Sequence, residues 1–448
     1  MIYDIIIIGG GIGGLYTAYK LLQKNNKLNI LLLEKNNYLG GRIKTFRKKI
    51  NDHNYQFEEG AGRFNKNHKL LFKLLKELEL DKYLIKINSI ITFLPSGNTY
   101  NNKEQFIGKS PFLYIKKVIN FYEKHDTLNY SKIQTYTFCE YAAKILDPDE
   151  LKFVIDSFGY YKQLVSMNAF NAIKLFGKGM NSSLQFYSLA CGFDMIINKL
   201  KENILNLGGK IMIKQYVKNI EYYNGRTNKN NLFSIYVKSN KIDTVYQAKK
   251  CILAIPKPDL LKFNILNNNL VIKNLLNSIL YKSLCRIYSI FDKKNIWFKD
   301  ISKTTTNNNS RYIIPIDKEN GLIMISYSDS KFADSWNKLD KLSKKELIGE
   351  LQKNIYKTFH QKIMKPIFTK VCYWKLGTAF WKKNKNSCVI SKKILQPFLY
   401  VPLYICGENY SETQGWMEGA LETSNKVLEK IIDLQKKQNK KNLEIMYI

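Results

Sequence analysis

The sequence predicts an α/β (α+β) fold built of two interleaved domains, and three stretches predict it. The chain opens MIYDIIIIGGGIGGLYTAYKLLQKNNKLNILLLEK, in which a β-branched run, a glycine cluster, a helical run and a second apolar run ending in an acid follow in order. From 192 to 255 a helical stretch gives way to alternating strands and a buried-type strand closed by proline. Near the C-terminus, LYICGENYSETQGWMEGALETS at 403–424 repeats the strand-to-helix passage. Together they describe a Rossmann-like domain with a second, discontinuous domain threaded through it.

Taken in order, residues 4–8 read as a strand, 9–14 as a tight glycine turn and 15–24 as a helix. Gly9 permits the turn, Gly11 and Gly13 leave backbone amides open to a pyrophosphate, and Gly14 lets the helix pack closely on the strand. The strand at 29–33 ends in Glu34, about 20 residues beyond the glycines, where a carboxylate accepts both hydroxyls of an adenosine ribose and repels a 2′-phosphate. Residues 68–80, HKLLFKLLKELEL, place Leu70, Leu71, Leu74, Leu75 and Leu78 on one helical face. From 81 to about 189 the chain reads as mostly helical, with a helix start at DPDE, 147–150. A helix at 192–207 and strands at 210–217, 232–238, 241–248 and 251–255 follow, with NGRTNKNN between the strands at 210–217 and 232–238. TTTNNNS at 304–310 reads as a loop, and 435–448 as a frayed basic tail.

Composition narrows the function. The 448 residues carry 71 basic and 37 acidic side chains, for a net charge of +34. Lysine, asparagine and isoleucine are inflated together, as AT-rich coding does, and no compact arginine patch with interleaved aromatics stands out. Nucleic acid is therefore not the expected partner, although the charge keeps acidic surfaces in play. The chain has no run of the roughly 18 apolar residues that a membrane span needs and no signal-peptide pattern at its start. Seven scattered cysteines without a CxxC pair suit a reduced, cytoplasmic setting, or a virion if the source is viral, without structural zinc. Four separated histidines offer no metal cluster.

Four further stretches bear on the cofactor. They are LGGR at 39–42, FEEGAGRF at 57–64, ILAIPKP at 252–258 and the 403–424 segment. In this order and spacing they resemble the flavin-containing amine oxidase family of the monoamine, polyamine and L-amino-acid oxidase kind. The resemblance implies non-covalent FAD, since Cys372 and Cys388 flank the family's flavin-linking position without matching it. It also implies that Gly40, Gly41 and Arg42 border the ribityl and phosphate region, that Val217 meets adenine, and that the segment after Gly407 and Glu408 faces the flavin edge. Lys35, Gly60, Ala61, Gly62, Arg63, Trp416 and Met417 complete the expected cofactor residues.

Three departures from the family pattern concern chemistry. Tyr38 stands where the family usually has Arg before LGGR. Arg286 aligns with a lysine that holds a water at flavin N5, with Lys282 as the runner-up four residues earlier on the same strand face; Arg stays protonated and cannot act as a base. Trp416 replaces one of two tyrosine walls flanking the amine, as in L-amino-acid oxidases, where an Arg at the place of Arg63 grips the substrate carboxylate. Phe380 or Trp381 is the expected opposite wall. The alternative roles are core packing for Trp416 and a cofactor-phosphate or surface pair for Arg63.

The resulting expectation is an FAD-binding domain from 1–80, 190–270 and 395–434, and a substrate domain from 81–189 and 271–394. An amine or L-amino acid would pass hydride to flavin N5, giving an imine, and O2 would be reduced to hydrogen peroxide. Two alternatives stay open: a flavoprotein of the same fold with other chemistry (a monooxygenase, desaturase or isomerase), and a basic binding or packaging protein with a relic flavin site. Composition leaves the oligomeric state undetermined.

Overall fold

A computed structural model describes every residue except 89, 98–104, 181–183, 224–230, 240–241 and 447–448, with the backbone alone described at 130 and 433–446. The expected NGRTNKNN connection lies almost wholly outside the described residues. Two large sheets organise the rest. The first places its strands in the order Tyr216–Tyr223, Leu232–Ser239, Ile242–Leu253, Ile2–Ile8, Ile30–Leu33 and Lys210–Met212, and Leu403–Ile405 also pairs with Ile242–Leu253. Its centre is parallel: Ile5 to Ile8 pair with Ile30 to Leu33 on one side and with Lys250 to Leu253 on the other. Strands so buried on both faces must be continuously apolar, and IIII and ILLL are.

The second sheet is mostly antiparallel, in the order Phe368–Trp381, Ile279–Ile290, Leu322–Asp329, Tyr312–Asp317, Thr304–Thr305 and Thr92–Phe93. Helices from Phe112–His125 through Ala169–Lys178 cover one side of it with a core rich in Phe and Tyr. The architecture is therefore the mixed α/β one, with a parallel layer and a separate antiparallel layer.

Several expected boundaries move, each for a local reason. The first helix starts at Ile12 rather than 15, with extended Gly11 as its N-cap. The run 210–217 splits into Lys210–Met212 and Tyr216–Tyr223, because Lys214 takes a left-handed conformation (φ 57°) between them. Conversely, 241–248 and 251–255 merge into one strand, Ile242–Leu253, whose two halves pair with different neighbours. The interval 81–189 is helical only in its middle; Leu84–Ile87 and Phe186–Leu189 join Phe64–Asn65 in a small sheet. In the helix Lys69–Glu77, Leu71, Leu74 and Leu75 are buried and Leu70 is only half-buried. The loop 304–310 is not a surface loop: Thr304, Thr305, Thr306 and Ser310 are all buried. The C-terminal helix runs from Met417 to Met446, so residues 435–446 of the expected frayed tail are helical backbone rich in good helix formers.

Candidate active site

A cavity of about 400 Å³ runs between the two sheets. One end lies over the first glycine turn. Gly9 has φ +112°, and a Cβ there would sit 2.5 Å from the carbonyl oxygen of Ala254. Gly14 is packed closer still, since its Cβ would be 2.0 Å from the Gly9 oxygen. Gly11 differs, because a Cβ there meets nothing within 4 Å and points into open space. The helix Ile12–Lys24 therefore presents an N-terminus with no side-chain cap and no acid in its first turn to the cavity. Such an end suits an anion. Gly13 and Gly407 line the same stretch.

Beyond the turn, Glu34 is buried at the end of its strand. Its Oε2 accepts from Gly10 N (2.7 Å), and its Oε1 accepts from Asn36 N (2.8 Å) and Asn36 Nδ2 (2.7 Å). These bonds hold the carboxylate rigidly at the cavity wall, with Lys35 and Val217 beside it. Lys35 is bound to Asp259 at 2.6 Å. Toward the middle, Arg42 bridges the two layers. It donates to Gly377 O at 2.9 Å and to Glu408 Oε2 at 2.8 Å. Burial acts to lower the Arg42 pKa, but the Glu408 carboxylate and Tyr281 together keep it above the ordinary value. Glu408 Oε1 in turn accepts from Gly415 N at 2.7 Å, which pins the turn before the C-terminal helix and delays that helix to Met417. Gly41, Gly60, Ala61 and Gly62 line the passage, as do Tyr38 and Met417.

The far end is aromatic and cationic. Phe380 and Trp416 line it, whereas Trp381 is core, donating through its ring N–H to Ser411 O. Arg63 lies on the Phe186 ring (4.5 Å to the centroid) and donates to the Tyr160 hydroxyl at 3.5 Å. Arg286 is buried, donating to Glu58 O at 3.0 Å and to the Tyr327 hydroxyl at 3.4 Å. Burial opposes its charge, yet Tyr327 and Tyr288 hold its pKa above the ordinary value. Lys282 is not on this wall. The pairing with Phe368–Trp381 shifts register between Lys282 and Leu284, and Lys282 lies instead beside Lys162. Leu284 and Arg286 line the cavity, whereas Lys282, two residues before Leu284 on the same strand, does not.

Sequence reading missed five side chains of this end. Trp374 lines it and donates to Glu59 O at 2.7 Å. Tyr160, Gln163, Tyr327 and Asp329 come from other elements. Asp329 Oδ2 accepts from Lys162 N at 3.0 Å, and burial pushes its carboxyl up to about 7. Only the aromatic run around Trp374 carried a sequence signal; the others are unremarkable until the fold collects them.

The profile described as flavin containing amine oxidoreductase matches residues 12–431. The chain belongs to this family. Amine oxidase [flavin-containing] A of Bos taurus is 34% identical over 98 residues, which is 22% of this chain and 18% of the relative, so the chain aligns with well under two thirds of that relative's length. An uncharacterized protein of Acanthamoeba polyphaga mimivirus is 21% identical over 95% of this chain and 93% of its own. Wild-type putrescine oxidase bound to putrescine superimposes with a TM-score of 0.73 over 97% of this chain and 99% of that one, at 14% identity, a likeness of fold. Family membership implies a flavin. The uncapped helix end, the open space at Gly11 and the fixed Glu34 fit a flavin nucleotide laid along the cavity. No helix among the described residues is long and apolar enough to cross a membrane.

Proposed function

We propose that the chain binds FAD non-covalently and oxidises the C–N bond of an L-amino acid to an imine, with O2 as the final acceptor and hydrogen peroxide as the product. The observation that carries the amino-acid reading is Arg63. Its guanidinium lies at the cavity's far end, over the Phe186 ring, with no carboxylate in ion-pair reach among the described residues. An unpaired guanidinium fork in a half-buried site suits a substrate carboxylate bidentately. Bound here, FAD supplies the two-electron acceptor.

The protein's own groups orient and exclude water. The helix end at Gly11 would hold the pyrophosphate and Glu34 the ribose hydroxyls. Arg63 would fix the carboxylate, and Phe380 and Trp416 would flank the amine. Arg286 supplies a fixed positive charge and cannot take a proton. The domain division expected above, with a nucleotide domain around the parallel sheet and a substrate domain around the other, is part of this proposal.

The test is anaerobic titration of the purified protein with amino acids, amines and polyamines while flavin bleaching is followed, then aerobic peroxide assay. Failure of every amino acid to bleach the flavin rejects the reading. Arg63→Ala sharpens it: binding of an amino acid should weaken by roughly 2 to 5 kcal/mol while the decarboxylated amine is hardly affected. Equal losses on both would instead move Arg63 to the cofactor.

A further inference from the structure

Five carboxylates line the cavity among the described residues, and four of them are engaged. Glu59, Asp259 and Glu408 are ion-paired, and both oxygens of Glu34 accept amide hydrogens. Asp329 differs. Its Oδ2 accepts from Lys162 N at 3.0 Å, which ties the carboxylate to the helix Tyr161–Ser166, whereas its buried Oδ1 has no hydrogen-bond partner among the described residues.

The same helix brings a second acceptor. Gln163, one residue beyond Lys162, lines the cavity, and its Oε1 is also buried without a partner among the described residues. Asp329 is 2% exposed and Gln163 8%. In the antiparallel sheet, Leu284 and Arg286 pair with Asp329 and Tyr327 of the next strand, and all four line the cavity. Tyr160, which accepts from Arg63, directly precedes the helix that carries Gln163. The two orphan oxygens therefore belong to the same end of the cavity as Arg63.

Lys162, Lys282 and Arg311 face Asp329 from the helix, the neighbouring strand and the segment before Tyr312–Asp317, but among the described residues none is in ion-pair reach of it. A buried carboxylate oxygen without a donor is costly, and an orphan amide oxygen adds to the cost. An ammonium carries three donors and a positive charge, which is what the two acceptors lack. We propose that Asp329 and Gln163 receive an ammonium at the end of the substrate's side chain while Arg63 holds the α-carboxylate, so that the preferred substrate is a basic amino acid. This rests on the amino-acid reading, and the two are separable by experiment.

Four ligands form a square: L-lysine, L-norleucine, which lacks the side-chain amine, cadaverine, which lacks the α-carboxylate, and n-pentylamine, which lacks both. Affinities are measured by calorimetry on flavin-loaded protein reduced beforehand with dithionite and kept anaerobic, so that no turnover intervenes. The side-chain amine is expected to tighten binding roughly tenfold or more, in lysine over norleucine and in cadaverine over pentylamine. Asp329→Asn keeps an acceptor for the Lys162 amide and removes the charge, and it is expected to bring both ratios near one. Ratios near one in the wild type, or ratios unchanged in Asp329→Asn, overturn the proposal. If lysine and cadaverine bind alike while the amine ratios hold, the α-carboxylate reading falls and the Asp329 site stands. Gln163→Leu removes the second acceptor and is expected to lower both ratios in part. It takes the place of Asp329→Asn if that variant does not fold, and unchanged ratios in it overturn the proposal equally.

Discussion

Arg286 is the residue proposed to stand where lysine-bearing family members hold a water at the flavin. It is clamped by Glu58 O and two tyrosines, and its charge is permanent. We expect flavin reduction by substrate to proceed while reoxidation by oxygen is slow compared with an Arg286→Lys variant. Stopped-flow measurement of both half-reactions checks this, with Lys282→Met as the control. Unchanged reoxidation in Arg286→Lys, with loss in Lys282→Met, would return the role to Lys282 despite its place off the cavity wall. His68 offers a second test at this scale. It is buried, has no hydrogen-bond partner for either ring nitrogen among the described residues, and lies against Trp416 at 4.7 Å. Burial lowers its pKa to about 4. The unfolded chain binds that proton near 6.5 and the native one near 4, so stability is lost as pH falls through this window. The loss should reach on the order of 3 kcal/mol near pH 4, and His68→Phe should remove it; denaturant melts at pH 7 and pH 4 decide.

At the scale of elements, the first strand, turn and helix separate packing from binding. Gly14→Ala would drive a Cβ to 2.0 Å from the Gly9 oxygen, whereas Gly11→Ala meets no protein atom within 4 Å. The first should destabilise the fold by roughly 1 to 3 kcal/mol. The second should leave the melting temperature of the flavin-free protein unchanged and lower flavin content, because its methyl enters the space beside the helix amides. Equal flavin content in Gly11→Ala and wild type would show that the nucleotide phosphates lie elsewhere. Another helix end is built across the chain: Glu418 accepts from Leu70 N and Leu71 N at 2.9 Å each, capping the helix Lys69–Glu77 whose own His68 does not. No local pattern predicts a cap donated from 348 residues away.

For the whole molecule, the seven cysteines are unpaired, and Cys372 is buried on its strand. The purified protein is expected to be yellow and to release intact FAD on acid or denaturant treatment. Flavin that stays with the polypeptide through denaturing gel filtration would refute non-covalent binding. The net charge of +34 spreads over many lysine faces, several in surface pairs such as Lys117 with Glu150 and Lys218 with Asp243, which contribute little to stability.

Much of the parallel-sheet half, with its glycine turn, was legible because its determinants are local. The β-branched run, the glycines at fixed offsets and the acid ending the second strand act within about 35 residues, and backbone sterics leave such a stretch few alternatives. The family resemblance was carried by motifs of the same kind. The far end of the cavity was legible only in part. Arg63, Phe380 and Trp416 belong to motifs, and the structure brings all three to one cavity. Tyr160, Gln163, Tyr327, Asp329 and Trp374 have no common spacing in the chain; they meet because two sheets and a helical layer close over the same space. In the sequence Arg286 was preferred and Lys282 stood as the runner-up, four residues earlier on the same strand. Arg286 lines the cavity and Lys282 lies beside Lys162, and which strand residues reach a cavity depends on the elements packed around it, which no single segment contains. The sequence by itself therefore determined the fold class and the nucleotide loop, where the physics is short-range, and only the tertiary structure decided which charges face the cavity unpaired, because pairing is a property of neighbours that folding chooses.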